Sequence, residues 1–106
     1  MRRSIIVLGV MAAAFSTSVA AQSVDGKALY DANCKKCHGV AGKPSDGIKK
    51  MNPKIETFDA AFFAKRTDPD LVKGIAEGKD KMKPFKDKMK ADEIAAVAKY
   101  IRTLKP

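Results

Sequence analysis

Apolar residues return every three or four positions near the C-terminal end: Ile94, Val97, Ile101 and Leu104, with Ala98 and Tyr100 beside them. That period belongs to a helix with one buried face and predicts a helix over 91–104. Asp92 and Glu93 fall in its first turn, where negative charge suits the helix dipole. A second helix is predicted over 70–77, where Leu71 and Ile75 form an i, i+4 apolar pair. There Asp68 suits the N-cap, Pro69 the first helical position and Gly78 the stop. A third is predicted over 24–37, with Ser23 or Asp25 as N-cap and Gly26, Tyr30 and Cys34 spaced by four along one stripe. A short helix over 59–65 carries Phe62 and Phe63, with Phe58 just before it; the three phenylalanines are expected in the core or in a pocket wall. The rest of 39–67, rich in Gly, Pro and Lys, reads as loop. No strand-like alternation interrupts these elements, so an all-α fold is expected.

The first twenty residues follow another pattern. Arg2 and Arg3 precede an apolar run over 5–15, and Ser18-Val19-Ala20 before Ala21 supplies the small residues of a cleavage site. This reads as a secretory signal peptide over 1–20. The run is shorter than the roughly 20 residues that cross a bilayer, so no transmembrane anchor is expected after cleavage. The mature chain, 21–106, is long enough for one small domain, expected as a periplasmic monomer. A chain of this size buries a modest core and is often held by a covalent or cofactor staple.

Candidate chemistry is concentrated in Cys34-Lys35-Lys36-Cys37-His38, which contains both cysteines and the only histidine of the chain. Cys-x-x-Cys-His is the attachment pattern of a c-type haem. On a helix of about 3.6 residues per turn, positions 34, 37 and 38 share neighbouring parts of one face, so two thiols and an imidazole reach one planar ligand. Each sulfur would join one haem vinyl group and His38 would bind the iron. The second ring nitrogen of His38 then needs an acceptor, for which the carbonyls around Pro44 and Pro53 are candidates. A zinc site would want four ligands, whereas three are present. A thioredoxin-like pair would follow a strand, and a Cys34–Cys37 disulfide would close too small a loop to stabilise much and leave His38 unexplained. With the porphyrin as the largest apolar object in the core, the haem-free chain is expected to be poorly folded.

The occupant of the opposite iron position decides what such a haem does. A thioether there favours the reduced iron and raises the potential, whereas an open position permits gas or peroxide chemistry. Of Met51, Met82 and Met89, the expected ligand is Met82, in the Gly78-Lys79-Asp80-Lys81-Met82-Lys83-Pro84-Phe85 loop between two predicted helices. Met89, just before the last helix, is suited to core packing, and Met51 lies among lysines in the loop region.

With these residues in place the mature chain resembles the small bacterial class I cytochromes c over essentially its whole length. The matching residues are Gly26 and Tyr30 ahead of the Cys34 to Gly39 motif, then Met82-Lys83-Pro84-Phe85, then 94–104. The resemblance implies three main helices and loops wrapped around one covalently bound haem. It also implies a crossing of the first and last helices near Gly26, Tyr30 and Tyr100, His38 and Met82 as axial ligands, and electron transfer without a transformed substrate. Two positions depart from the family pattern: Lys83 separates Met82 from Pro84, and Lys90 replaces the usual Ser or Thr before the last helix.

Charge adds a partner. The 21 basic and 12 acidic residues give a net +9; loss of Arg2 and Arg3 with the leader lowers it to +7. Lysines at 79, 81, 83, 86, 88 and 90 run through the Met82 segment and would steer an acidic redox partner. An exported chain has no nucleic acid to meet, so none is expected as a partner. The alternatives left open are a haem sensor or peroxidase-like protein with a labile sixth ligand, and a dedicated electron-transfer subunit of a larger oxidoreductase.

Overall fold

The computed structural model describes residues 24–106 together with Gly9, so the expected leader, Gly9 apart, lies outside the described residues. The helices described are α1 (Gly26–Asn33), α2 (Lys35–His38), α3 (Asp46–Met51), α4 (Ala60–Ala64), α5 (Asp68–Glu77) and α6 (Ala91–Ile101). Among the described residues the only extended pairing is an isolated bridge between Lys79 and Met82.

The predicted C-terminal helix is α6, and its periodic face is its buried face: Ile94, Val97, Ala98 and Ile101 are all enclosed. Full burial of a Val or Ile side chain contributes about 1.5–3 kcal/mol, so this stripe is a principal stabilising element. The helix ends three residues earlier than predicted. Thr103 and Leu104 close the chain with tighter turn bonds to the Tyr100 and Ile101 carbonyls, while Leu104 still packs on the core. Lys90 supplies no capping oxygen, but the Glu93 carboxylate accepts the Lys90 backbone N–H at 2.9 Å, which retains half of a capping box.

Across α6 lies α1. A Cβ on Gly26 would overlap the Ala96 carbonyl and come within 3.2 Å of the Tyr100 Cβ, so the two backbones approach as closely as they do only because position 26 has no side chain. One turn on, the Tyr30 and Tyr100 rings meet at 5.3 Å, tilted by 59°. This is the crossing that the resemblance implied.

The single helix predicted over 24–37 is two. Asp25 caps it by accepting the Ala28 N–H at 3.1 Å, but helical geometry breaks at Cys34, whose φ of −120° departs from the helical range. Just before the break the Asn33 amide donates to the Leu29 carbonyl, the local competition by which Asn shortens helices. The cap of α5 is also one residue earlier than expected. Thr67, not Asp68, is the N-cap: its hydroxyl accepts from Asp70 N–H at 3.3 Å, and the Asp70 carboxylate accepts Thr67 N–H at 2.8 Å. Leu71 and Ile75 are buried as predicted, packing with α6. The helix expected over 59–65 is α4, capped by Asp59.

The region read as loop contains a further helix, α3. Its caps were legible, with Ser45 accepting from Ile48 N–H, Asp46 in the first turn and Lys49 and Lys50 in the last. With six residues and no buried one, it shows no periodicity. Beyond α5 the chain is tied back by Phe85 N–H to Ile75 O and Lys86 N–H to Ala76 O, both at 3.1 Å. Among the described residues no helix is long and apolar enough to cross a membrane.

Candidate haem site

The motif sits on the short turn of α2, immediately after the break. The Cys34 carbonyl accepts both Cys37 N–H at 3.2 Å and His38 N–H at 2.9 Å, so positions 34, 37 and 38 stay on one helical turn despite the kink. Cys34 is buried at 5% exposure, whereas Cys37 is exposed, and both are free thiols. Burial, with Cys37 as the smaller contributor, pushes the Cys34 thiol up to about 11. His38 is half-buried with its Nδ1 shut off from solvent and without a hydrogen-bond partner. Desolvation moves its pKa below the ordinary 6.5, which favours the neutral ring that a metal requires.

Behind the imidazole stands Phe58, stacked on it at 4.8 Å and 19° and buried. Phe58 is anchored by its own N–H to the Gly42 carbonyl at 2.9 Å and backed by the Phe62 ring at 5.0 Å. The phenylalanines are therefore core and site wall together. Of the two candidate acceptor regions for the His38 ring, Pro44 is buried and Pro53 exposed. Sequence reasoning placed Tyr30 at the helix crossing and missed its hydroxyl, which donates to the Gly39 carbonyl at 2.6 Å. It also missed the stacking of Phe58 on His38, because the two lie in different segments and no spacing rule links them.

The three methionines occupy distinct environments. Met89 is buried in the core, Met51 is 62% exposed at the end of α3, and Met82 is half-buried. Met82 closes a tight turn with Lys79, the two residues exchanging backbone bonds of 2.9 and 3.1 Å around Asp80, which adopts φ 54°. That turn is stitched to the end of α3 by the Lys81 ammonium on the Met51 carbonyl and by a 3.7 Å ion pair between Lys54 and Asp80. Lysines 79, 81, 83, 86, 88 and 90 are all exposed. Among the described residues no three His, Cys, Asp or Glu side chains converge as a metal-binding group. The open clefts along α3–α4 and α1–α6 are not lined by motif residues, so the motif rather than a cavity marks the site.

A helical frame bracing a Cys-x-x-Cys-His turn is the architecture of a small class I cytochrome c, and comparison with known proteins agrees. The family model "Cytochrome c" matches residues 23–105. Cytochrome c6 of Nostoc sp. is 28% identical over 92% of this chain and 87% of its own length. Cytochrome c6 of Chlorolobion braunii is 35% identical over 72% and 83% respectively. Among solved structures, KustC0563 c-type cytochrome superposes with a TM-score of 0.70 at 36% identity, covering 78% of this chain and all of that one.

The chain belongs to the cytochrome c family, as a small class I member. With that family comes its cofactor, one covalently bound c-type haem, and its role in electron transfer. The donor set fits the group: two free thiols and a ring held neutral, whose enclosed Nδ1 awaits an acceptor.

Proposed function

We propose that this chain is an exported one-electron carrier in which Cys34 and Cys37 hold the haem and His38 and Met82 are its axial ligands. Each thiol would add across one haem vinyl group, its sulfur bonding to one carbon and its hydrogen passing to the other. The bound haem supplies an iron that alternates between ferrous and ferric states. Burial lowers the pKa of His38 and so favours its neutral ring, and the carbonyl of buried Pro44 would be the acceptor for its Nδ1. Met82 is the methionine neither committed to the core nor largely exposed, on a turn fixed by backbone bonds and bridged to α3. A thioether at the sixth position favours the reduced iron, which suits a carrier rather than an enzyme.

Residues 1–20 act as a cleaved leader to the periplasm, leaving 21–106 as a monomeric domain. The exposed lysines beside Met82 dock an acidic redox partner, so association weakens as salt rises. The observation that carries the reading is two thiols and the imidazole of His38 on a single turn of a cytochrome c chain. Visible spectra of the purified periplasmic protein in both oxidation states test it. The expected result is a low-spin c-type spectrum, with haem retained on the polypeptide after denaturing electrophoresis. Titratable free thiols without bound haem contradict it, and a spectrum that changes with added small ligands points to a sensor or peroxidase-like protein.

A further inference from the structure

We propose that the Tyr30 hydroxyl is a positioning group for His38. Tyr30 is completely enclosed, and its hydroxyl reaches nine residues along the chain, across the α1–α2 break, to the carbonyl of Gly39. Gly39 directly follows the proposed ligand, so fixing its peptide fixes the exit of the backbone from His38. The carbonyl cannot turn aside easily. Gly39 holds φ 81° and ψ 164°, in the left-handed half of the map, and a Cβ there would overlap the Lys43 carbonyl. The other donor to the same oxygen is the Gly42 N–H, at a long 3.4 Å.

At its other end the tyrosine belongs to the rigid frame: its ring packs on Tyr100 at 5.3 Å, and one turn earlier Gly26 presses on α6. A buried tyrosine hydroxyl needs some partner. Here that partner is the peptide next to the imidazole, so the helix crossing and the ligand are joined by one hydrogen bond. The α1–α6 frame therefore sets the orientation of the His38 ring and not only the stability of the domain. This inference rests on His38 being an axial ligand.

The test is proton NMR of oxidised holoprotein for the wild type, Tyr30→Phe and Tyr100→Phe, with thermal melting of each. The wild type is expected to show hyperfine-shifted ring protons from His38; their absence overturns the ligand assignment itself, whatever Tyr30 does. Tyr30→Phe is expected to change the order or spread of the haem-methyl resonances, which report imidazole orientation, in protein that still melts cooperatively. Tyr100→Phe, which keeps the ring contact and leaves the Gly39 bond intact, is expected to show the wild-type pattern. An unchanged pattern in Tyr30→Phe, or an equal change in both variants, overturns the positioning role. In the wild type the Tyr30 hydroxyl proton is expected as a slowly exchanging resonance, and rapid exchange with solvent also overturns it.

Discussion

The α1–α6 crossing and the segments that carry the candidate haem donors are built by different means. The crossing is made by close packing: the Gly26 backbone lies against the Ala96 carbonyl and the Tyr30 ring against Tyr100, with Val97 and Ile101 enclosed on α6. The donor segments are short turns held by caps and backbone bonds, with α2 four residues long and Met82 on a two-bond turn. Few of their residues are buried, and many are lysines. The crossing contributes apolar burial of its own, too little in a chain this small to hold the fold without a staple, whereas the donor turns have little burial at all and are expected to depend on haem for order.

Removing the covalent staple breaks that contrast most severely. Cys34→Ala with Cys37→Ala is expected to abolish haem staining and leave a chain without a cooperative thermal transition. A compact, cooperatively melting haem-free chain would show that the crossing alone suffices. Next in size is damage to the crossing itself. Ile101→Ala is expected to cost about 2–5 kcal/mol in denaturant unfolding, with the visible spectrum of the folded fraction unchanged.

Acid separates the two regions by chemistry. Because burial lowers the His38 pKa below 6.5, the unfolded chain binds the proton more readily than the folded one. The contribution of the neutral ring is fully present above the unfolded value and is lost as pH falls through the lower folded value. Denaturant unfolding over a pH series is therefore expected to show stability falling as pH drops below about 6.5, and stability that rises there would refute the buried ring. The smallest expected effect is at the N-cap of α5, which belongs to neither region. Thr67→Ala removes the hydroxyl that accepts Asp70 N–H and is expected to lower stability by about 1 kcal/mol, with the spectrum and potential unmoved.

The same contrast explains what could be read from the residues alone. The buried stripe of α6 was legible because Ile94, Val97 and Ile101 repeat at helical spacing on the face that packs against both α1 and α5. The candidate haem donors stood out because Cys34, Cys37 and His38 are nearly consecutive, so chemistry and spacing coincide in one motif. The break at Cys34 was not, since its residues keep an i, i+4 stripe across the kink. Helix α3 was missed because a short helix without a buried residue has no period to detect. The partners of Tyr30 and His38, in Gly39 and Phe58, arise from chain closure between segments, which no local pattern encodes.

The proposed electron-carrier role turns on Met82 as the iron ligand opposite His38. The absorption spectrum and midpoint potential of oxidised wild type beside Met82→Ala decide it. The substitution is expected to abolish the methionine-to-ferric-iron band and to lower the potential, and an unchanged band and potential in Met82→Ala would refute Met82 as the ligand.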